Sequence, residues 1–222
     1  TLRQLQRARK PVPQFFLTSW VLGRPPRCHS VTDRMIPVRD GEIPVRIYRP
    51  DERTDLPLIL NYHGGGWAVG NLQNNDYYCA ALAVHVGALV VSVDYRLAPE
   101  YKFPKPVHDA YDALLWATEN AKALGADPSR VCVTGDSAGG NLAAVLCLKS
   151  RDLGGPKIKY QVLIYPATDS GLGYESLDRH AQAPILRKVD ILNYLDMYLA
   201  RPEDRLSPYL SPFLAESLRG LP

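Results

Sequence analysis

The chain has 222 residues, 46% of them hydrophobic and 22% charged, the balance of a soluble globular protein with one sizeable core. Lysine and arginine number 26 against 23 acidic residues, a formal excess of three, and no basic stripe interrupts the sequence, so the charge gives no case for nucleic acid. The four cysteines (Cys28, Cys79, Cys132, Cys147) lie far apart with no C-x-x-C spacing, which implies a reducing compartment, hence a cytoplasmic location, and no metal site.

The chain opens on Thr1, followed by a basic, Gln-rich stretch with no signal-like apolar segment. Residues 1–10 have the polarity of a short surface helix, which Pro11 and Pro13 break. Phe15, Phe16, Trp20 and Val21 then cluster without strand alternation. From Asp33 the period changes, and Met35 to Tyr48 alternates around Asp40-Gly41, a hairpin signal. A proline in each arm suits a pair at the sheet edge.

Leu56–Tyr62 reads as a buried strand running into His63-Gly64-Gly65-Gly66-Trp67. Three consecutive glycines are costly in backbone entropy unless the chain must bring its N–H groups against something, and after a buried strand the natural use is an anion nest. A helix over 75–85 and a buried strand over 88–94 follow, interrupted by His85, Gly87 and Ser92 where a membrane span would need continuous apolar residues. Asp109 to Ala121 is an amphipathic helix, and Asp127 to Arg130 is read as a turn.

Val131, Val133 and Thr134 end another strand, and Asn141 to Lys149 continues as a helix former. Between them Gly135-Asp136-Ser137-Ala138-Gly139 fits G-x-S-x-G, so the strand–turn–helix context makes it a nucleophile elbow. Side chains at Gly135 and Gly139 would collide with the neighbouring strand and helix, and the turn holds the Ser137 hydroxyl at a helix N-terminus that favours negative charge. Cys132 and Cys147, on either side of the elbow, read as small core residues. Lys157 to Tyr165 gives one more strand. Strands alternating with helices argue for an α/β fold with a doubly wound, mostly parallel sheet.

His63 to Trp67, Asp94-Tyr-Arg-Leu-Ala-Pro-Glu100, Gly135 to Gly140 and Tyr165-Pro-Ala-Thr-Asp169 together resemble the hormone-sensitive-lipase-like family of α/β-hydrolases, in its GDSAG branch. The resemblance covers Asp33 to Asp169 firmly. It implies an α/β-hydrolase with a helical cap, in which 1–32 is an N-terminal cap segment, 33–222 the core, and 170–201 a second cap segment. It also implies a carboxylesterase acting on small-molecule esters of short- to medium-chain acids through an acyl-enzyme on Ser137. Gly65, Gly66 and Ala138 match the residues whose N–H groups form the oxyanion hole. No cofactor is implied, and a homodimer is compatible with the family. Trp67 is expected to wall one side of the pocket. His63 is read as shaping the glycine loop, and Asp136 as a structural carboxylate rather than the triad acid.

In this fold the triad runs Ser, then Asp or Glu, then His along the chain. After Ser137 one histidine follows, His180, in a polar stretch with the character of cap surface. The family's acid sits in a motif like DPLRDEG, which does not occur here, so the triad acid and histidine are expected beyond Pro222 and the core is expected to continue there. The alternative is a non-catalytic small-molecule receptor on the same fold, as in the plant gibberellin receptors, which keep a comparable serine and lose the histidine.

Overall fold

The computed structural model describes residues 24–222 together with Leu5 and Arg9. Strands β1 (Ser30–Val38) and β2 (Gly41–Arg49) form the hairpin at one edge of the sheet. Their register pairs Val38 with Gly41, so the turn residues are Arg39 and Asp40 rather than Asp40 and Gly41. Gly41 opens β2 at φ +121°, a conformation that only glycine adopts easily. Strand β1 also begins at Ser30, three residues before the expected boundary at Asp33.

Behind the hairpin come β3 (Leu56–Tyr62), helix α1 (Asp76–Leu82), β4 (Leu89–Val93), α2 (Lys105–Glu119), a short α3 (Ala121–Leu124), β5 (Ala126–Asp136), α4 (Ala138–Asp152) and β6 (Ile158–Ile164). The spatial order is β1-β2-β4-β3-β5-β6, with β4, β3, β5 and β6 parallel and the hairpin antiparallel. All five residues of β4 are buried, as expected of a strand covered on both faces.

Strand periodicity divides the core into two layers. Leu58, Leu60 and Tyr62 of β3 and Val131 and Val133 of β5 join Val107, Ala110, Leu114, Leu142 and Leu146 of α2 and α4. Ile59 and Val90 point the other way, against Cys79, Ala80 and Ala83 on the α1 side. Cys147 is buried as expected; Cys132 is only half-buried, because its strand neighbour β6 leaves that face partly open.

Two further boundaries differ from the sequence reading. Helix α2 starts at Lys105, with Pro106 in its first turn where its missing N–H costs nothing. Asp109 is therefore inside the helix, buried, and bound to Arg96 through Nε at 2.8 Å and Nη2 at 2.5 Å. Residues Asp127 to Arg130 belong to β5 instead of preceding it. Leu56 pairs with Ala126 and Leu58 with Val131, so the intervening residues bulge, held by Asp127 accepting the Ser129 N–H at 2.8 Å.

Within the expected second cap segment, α5 (Glu175–Arg179) is exposed and α6 (Lys188–Tyr198) docks through the buried Leu195 and Tyr198. The N–H of Phe103 donates to the Tyr198 carbonyl at 2.8 Å, and Lys102 Nζ donates to the Leu199 carbonyl at 2.9 Å. No described helix is long and apolar enough to cross a membrane.

Candidate active site

Ser137 sits between β5 and α4 at φ +53° and ψ −115°, a strained conformation for a residue with a side chain. Its neighbours must therefore be small. A Cβ on Gly139 would fall on the Tyr62 carbonyl and within 2.6 Å of the His63 carbonyl oxygen; one on Gly135 would meet the Gly139 backbone and, at 2.6 Å, the Tyr62 oxygen. The Ser137 N–H donates to the Ile164 carbonyl at 2.9 Å, and the Ser137 carbonyl accepts the N–H groups of Asn141 at 2.9 Å and Ala167 at 3.3 Å. Asn141 Nδ2 adds bonds to the carbonyls of Ala167 at 2.6 Å and Leu210 at 2.8 Å.

The glycine loop leaves β3 beside the elbow. His63 is fully buried and stacked on Tyr95 with centroids 4.4 Å apart. Its Nδ1 lies 2.7 Å from the Gly64 carbonyl; a carbonyl only accepts, so Nδ1 carries the proton. Gly65 has φ +116° and Gly66 φ +57°. A Cβ on Gly65 would strike the Val69 carbonyl, and one on Gly66 would strike the ring of Tyr194 from α6.

Carbonyl anchoring determines where the three candidate donors point. In a trans peptide the C=O and N–H face opposite ways. The Gly64 carbonyl is held by His63, the Gly65 carbonyl by the N–H groups of Ala68 (3.1 Å) and Val69 (3.0 Å), and the Ser137 carbonyl by Asn141 and Ala167. The partner N–H groups of those peptides are Gly65, Gly66 and Ala138. Among the described residues none of the three has an acceptor. All three are thus turned away from bonds that hold their own peptides, as an anion site requires.

Asp136 joins the two loops: Oδ1 accepts the Gly64 N–H at 2.9 Å and Asn75 Nδ2 at 3.3 Å. Trp67, at φ +57°, stacks on Tyr198 with centroids 4.4 Å apart and 5° between planes. It is 5% exposed, so it fastens the loop to α6 from below rather than presenting a bare wall. His63 Nε2 faces Asp94 Oδ1 at 3.7 Å, beyond hydrogen-bond reach. His180 ends α5 and is exposed. Burial pushes the Cys132 thiol up to about 11 and those of Cys79 and Cys147 up to about 12, so none of these thiols is poised as a nucleophile.

Tyr194, Tyr198 and Asn75 were not legible as site residues, since nothing in their spacing sets them apart from packing residues. Phe15, Phe16 and Trp20, the aromatic residues of the expected N-terminal cap segment, lie outside the described residues. A cavity of about 450 Å³ opens between α1 and β6, lined by Ile59, Tyr78, Leu82, Cys132 and Val162, and it does not include Ser137 or the glycine loop.

The profile of the alpha/beta hydrolase fold family matches residues 59–222. Over 159 residues the chain is 48% identical to "Carboxylesterase NlhH" of Mycobacterium tuberculosis, covering 71% of this chain and 50% of that protein. It is 46% identical over 203 residues to "Carboxylic ester hydrolase LipN" of the same organism, covering 88% and 54%. The solved structure of a hyperthermophilic esterase from the archaeon Pyrobaculum calidifontis superposes with a TM-score of 0.89 at 43% identity, covering 98% of this chain and 70% of that one. The chain spans about half the length of the curated relatives it matches. The receptor alternative finds no support among these esterases. The chain belongs to the alpha/beta hydrolase fold family, on the hormone-sensitive-lipase-like side where its carboxylesterase relatives lie.

Proposed function

We propose that this chain carries the nucleophile and oxyanion hole of a carboxylesterase for small esters of short- to medium-chain acids. The observation that carries the reading is the strained, small-residue elbow at Ser137, tied through Asp136 to a glycine loop whose Gly65 and Gly66 N–H groups, like that of Ala138, have no acceptor among the described residues. The named activity of the relatives supports it.

In this reading Ser137 Oγ attacks the ester carbonyl while its proton passes to a base. The carbonyl oxygen becomes an oxyanion that accepts from Gly65, Gly66 and Ala138. Collapse expels the alcohol, which takes up that proton, and leaves an acyl group on Ser137. Water then attacks the acyl carbon, gives a proton to the same base, and releases the acid as Ser137 recovers its own. His180, exposed at the end of α5, is not assigned as the base. No described residue is assigned as the acid or histidine partner of Ser137. The test is hydrolysis of p-nitrophenyl acetate, butyrate and decanoate by the full-length polypeptide: activity favouring the first two, abolished by Ser137→Ala, is the expected result. Undiminished turnover in Ser137→Ala contradicts it.

A further inference from the structure

Arg9 belongs to the segment the sequence places in the cap, yet its guanidinium joins the residue that follows the glycine loop to the Ala98–Glu100 segment. Nε donates to the Ala68 carbonyl at 2.8 Å and Nη2 to the Ala98 carbonyl at 2.5 Å. Nη1 and Nη2 also form a fork on Glu100, at 2.9 and 2.8 Å, and Asn71 Nδ2 donates to the Arg9 carbonyl at 3.0 Å. The guanidinium is largely enclosed, its side chain 22% exposed.

These bonds meet the peptides that aim the candidate oxyanion donors. The Ala68 carbonyl that Arg9 holds shares a peptide with the Val69 N–H, which points the other way and donates to the Gly65 carbonyl. The Gly65 carbonyl in turn shares a peptide with the Gly66 N–H. Arg9 is therefore two peptides removed from the donor, through alternating C=O and N–H groups each pinned by the one before. A second strut runs in parallel: the Ala98 carbonyl binds Arg9 while the Ala98 N–H donates to the Trp67 carbonyl at 2.9 Å.

We propose that Arg9 is a positioning residue for the oxyanion hole, acting through the Ala68–Val69 and Gly65–Gly66 peptides to orient the Gly66 N–H. The proposal rests on the esterase reading of Ser137 and Gly66. Planarity and the fork matter more than charge here, because one cation must reach two carbonyls and a carboxylate at once. Lysine cannot reproduce that. Interactions that aim a donor act on the transition state, where the oxyanion exists, and barely on the bound ester.

The experiment compares wild type, Arg9→Lys, Arg9→Ala and Ser137→Ala in the full-length polypeptide, with p-nitrophenyl butyrate as substrate and a trifluoromethyl ketone as tetrahedral-adduct probe. For both Arg9 variants kcat falls about tenfold or more, short of the roughly 10²–10³-fold cost of deleting a donor. KM stays within about threefold, the ketone inhibition constant rises in step with the loss in kcat/KM, and millimolar guanidinium restores part of the rate of Arg9→Ala. Should Arg9→Ala fail to fold, the same split is read from Arg9→Lys. A wild-type kcat in either folded variant, even with a lowered Tm, overturns the proposal and leaves Arg9 as a mere fastener. If Ser137→Ala is also inactive, only the relay fails. If Ser137→Ala turns over normally, the esterase reading fails and the relay falls with it.

Discussion

The carboxylate of Asp136 accepts the N–H of Gly64 at 2.9 Å, so the residue preceding Ser137 holds the first glycine of the opposite loop. The elbow and the glycine loop come from different strands, and this bond ties one to the other; in the proposed reading it sets the spacing between nucleophile and donors. Asp136→Ala leaves the Gly64 N–H without its partner, which costs about 1–3 kcal/mol where the group is buried. Asp136→Asn keeps an acceptor oxygen in place. Thermal unfolding and esterase assays should show Asp136→Ala impaired in both and Asp136→Asn close to wild type in stability. Equal, wild-type behaviour of both variants would show that the bond does not set the geometry.

Gly139 is held against β3 so closely that alanine must push the strand away, since the atoms in the path are the backbone carbonyls of Tyr62 and His63. Overpacking of this kind typically costs about 1–3 kcal/mol, and backbone yields less readily than side chains. Gly154, at φ +62° with nothing within 4 Å, is the matched control. Its alanine variant should lose only about 1 kcal/mol to backbone strain. Urea titration of the two variants tests the contrast, and Gly139→Ala being the milder of the two would refute it.

Gly66 and Tyr194 make a third pair. A methyl at Gly66 meets the Tyr194 ring and also occupies a left-handed conformation at φ +57°. Tyr194→Ala removes the first penalty and not the second. A double-mutant cycle should therefore give a coupling of about 1 kcal/mol, within the range seen for residues in contact. Additivity to within about 0.3 kcal/mol would mean that α6 does not rest on the loop.

Hydrogen bonding to Arg9 holds the Glu100 carboxyl below its usual value, with burial opposing. A carboxylate with a depressed folded-state value adds stability above its unfolded value, about 4.3, and loses it as pH falls through the lower folded value. Glu100→Gln should thus be less stable than wild type at pH 7, with the gap closing at acidic pH. A difference in stability that is flat from pH 7 down to pH 3 would count against the ion pair.

Much of this was legible in the sequence because local chemistry and tertiary role coincide. Leu56–Tyr62 is apolar since β3 is central, and Gly135 and Gly139 are glycine since two backbones touch there. The elbow, the glycine loop and the hairpin all announce themselves by residues with few other uses. Asp127 misled because its side chain makes a turn-like bond inside a bulged strand, and the helix start was placed late, at Asp109, because Asp109 is a charged residue buried inside the helix as the partner of Arg96. Arg9 and Tyr194 were invisible: each meets the glycine loop across more than fifty residues of chain, and no local pattern in the sequence marks such a distant contact.

The central claim is that Ser137 becomes acylated. Incubation with a fluorophosphonate, followed by proteolysis and mass spectrometry of the full-length polypeptide, reads this directly. The account predicts one phosphonyl adduct on the peptide containing Ser137, formed at the rate activity is lost, and none on Ser137→Ala. Inactivation with the adduct on another residue, or full activity with Ser137 modified, would contradict it.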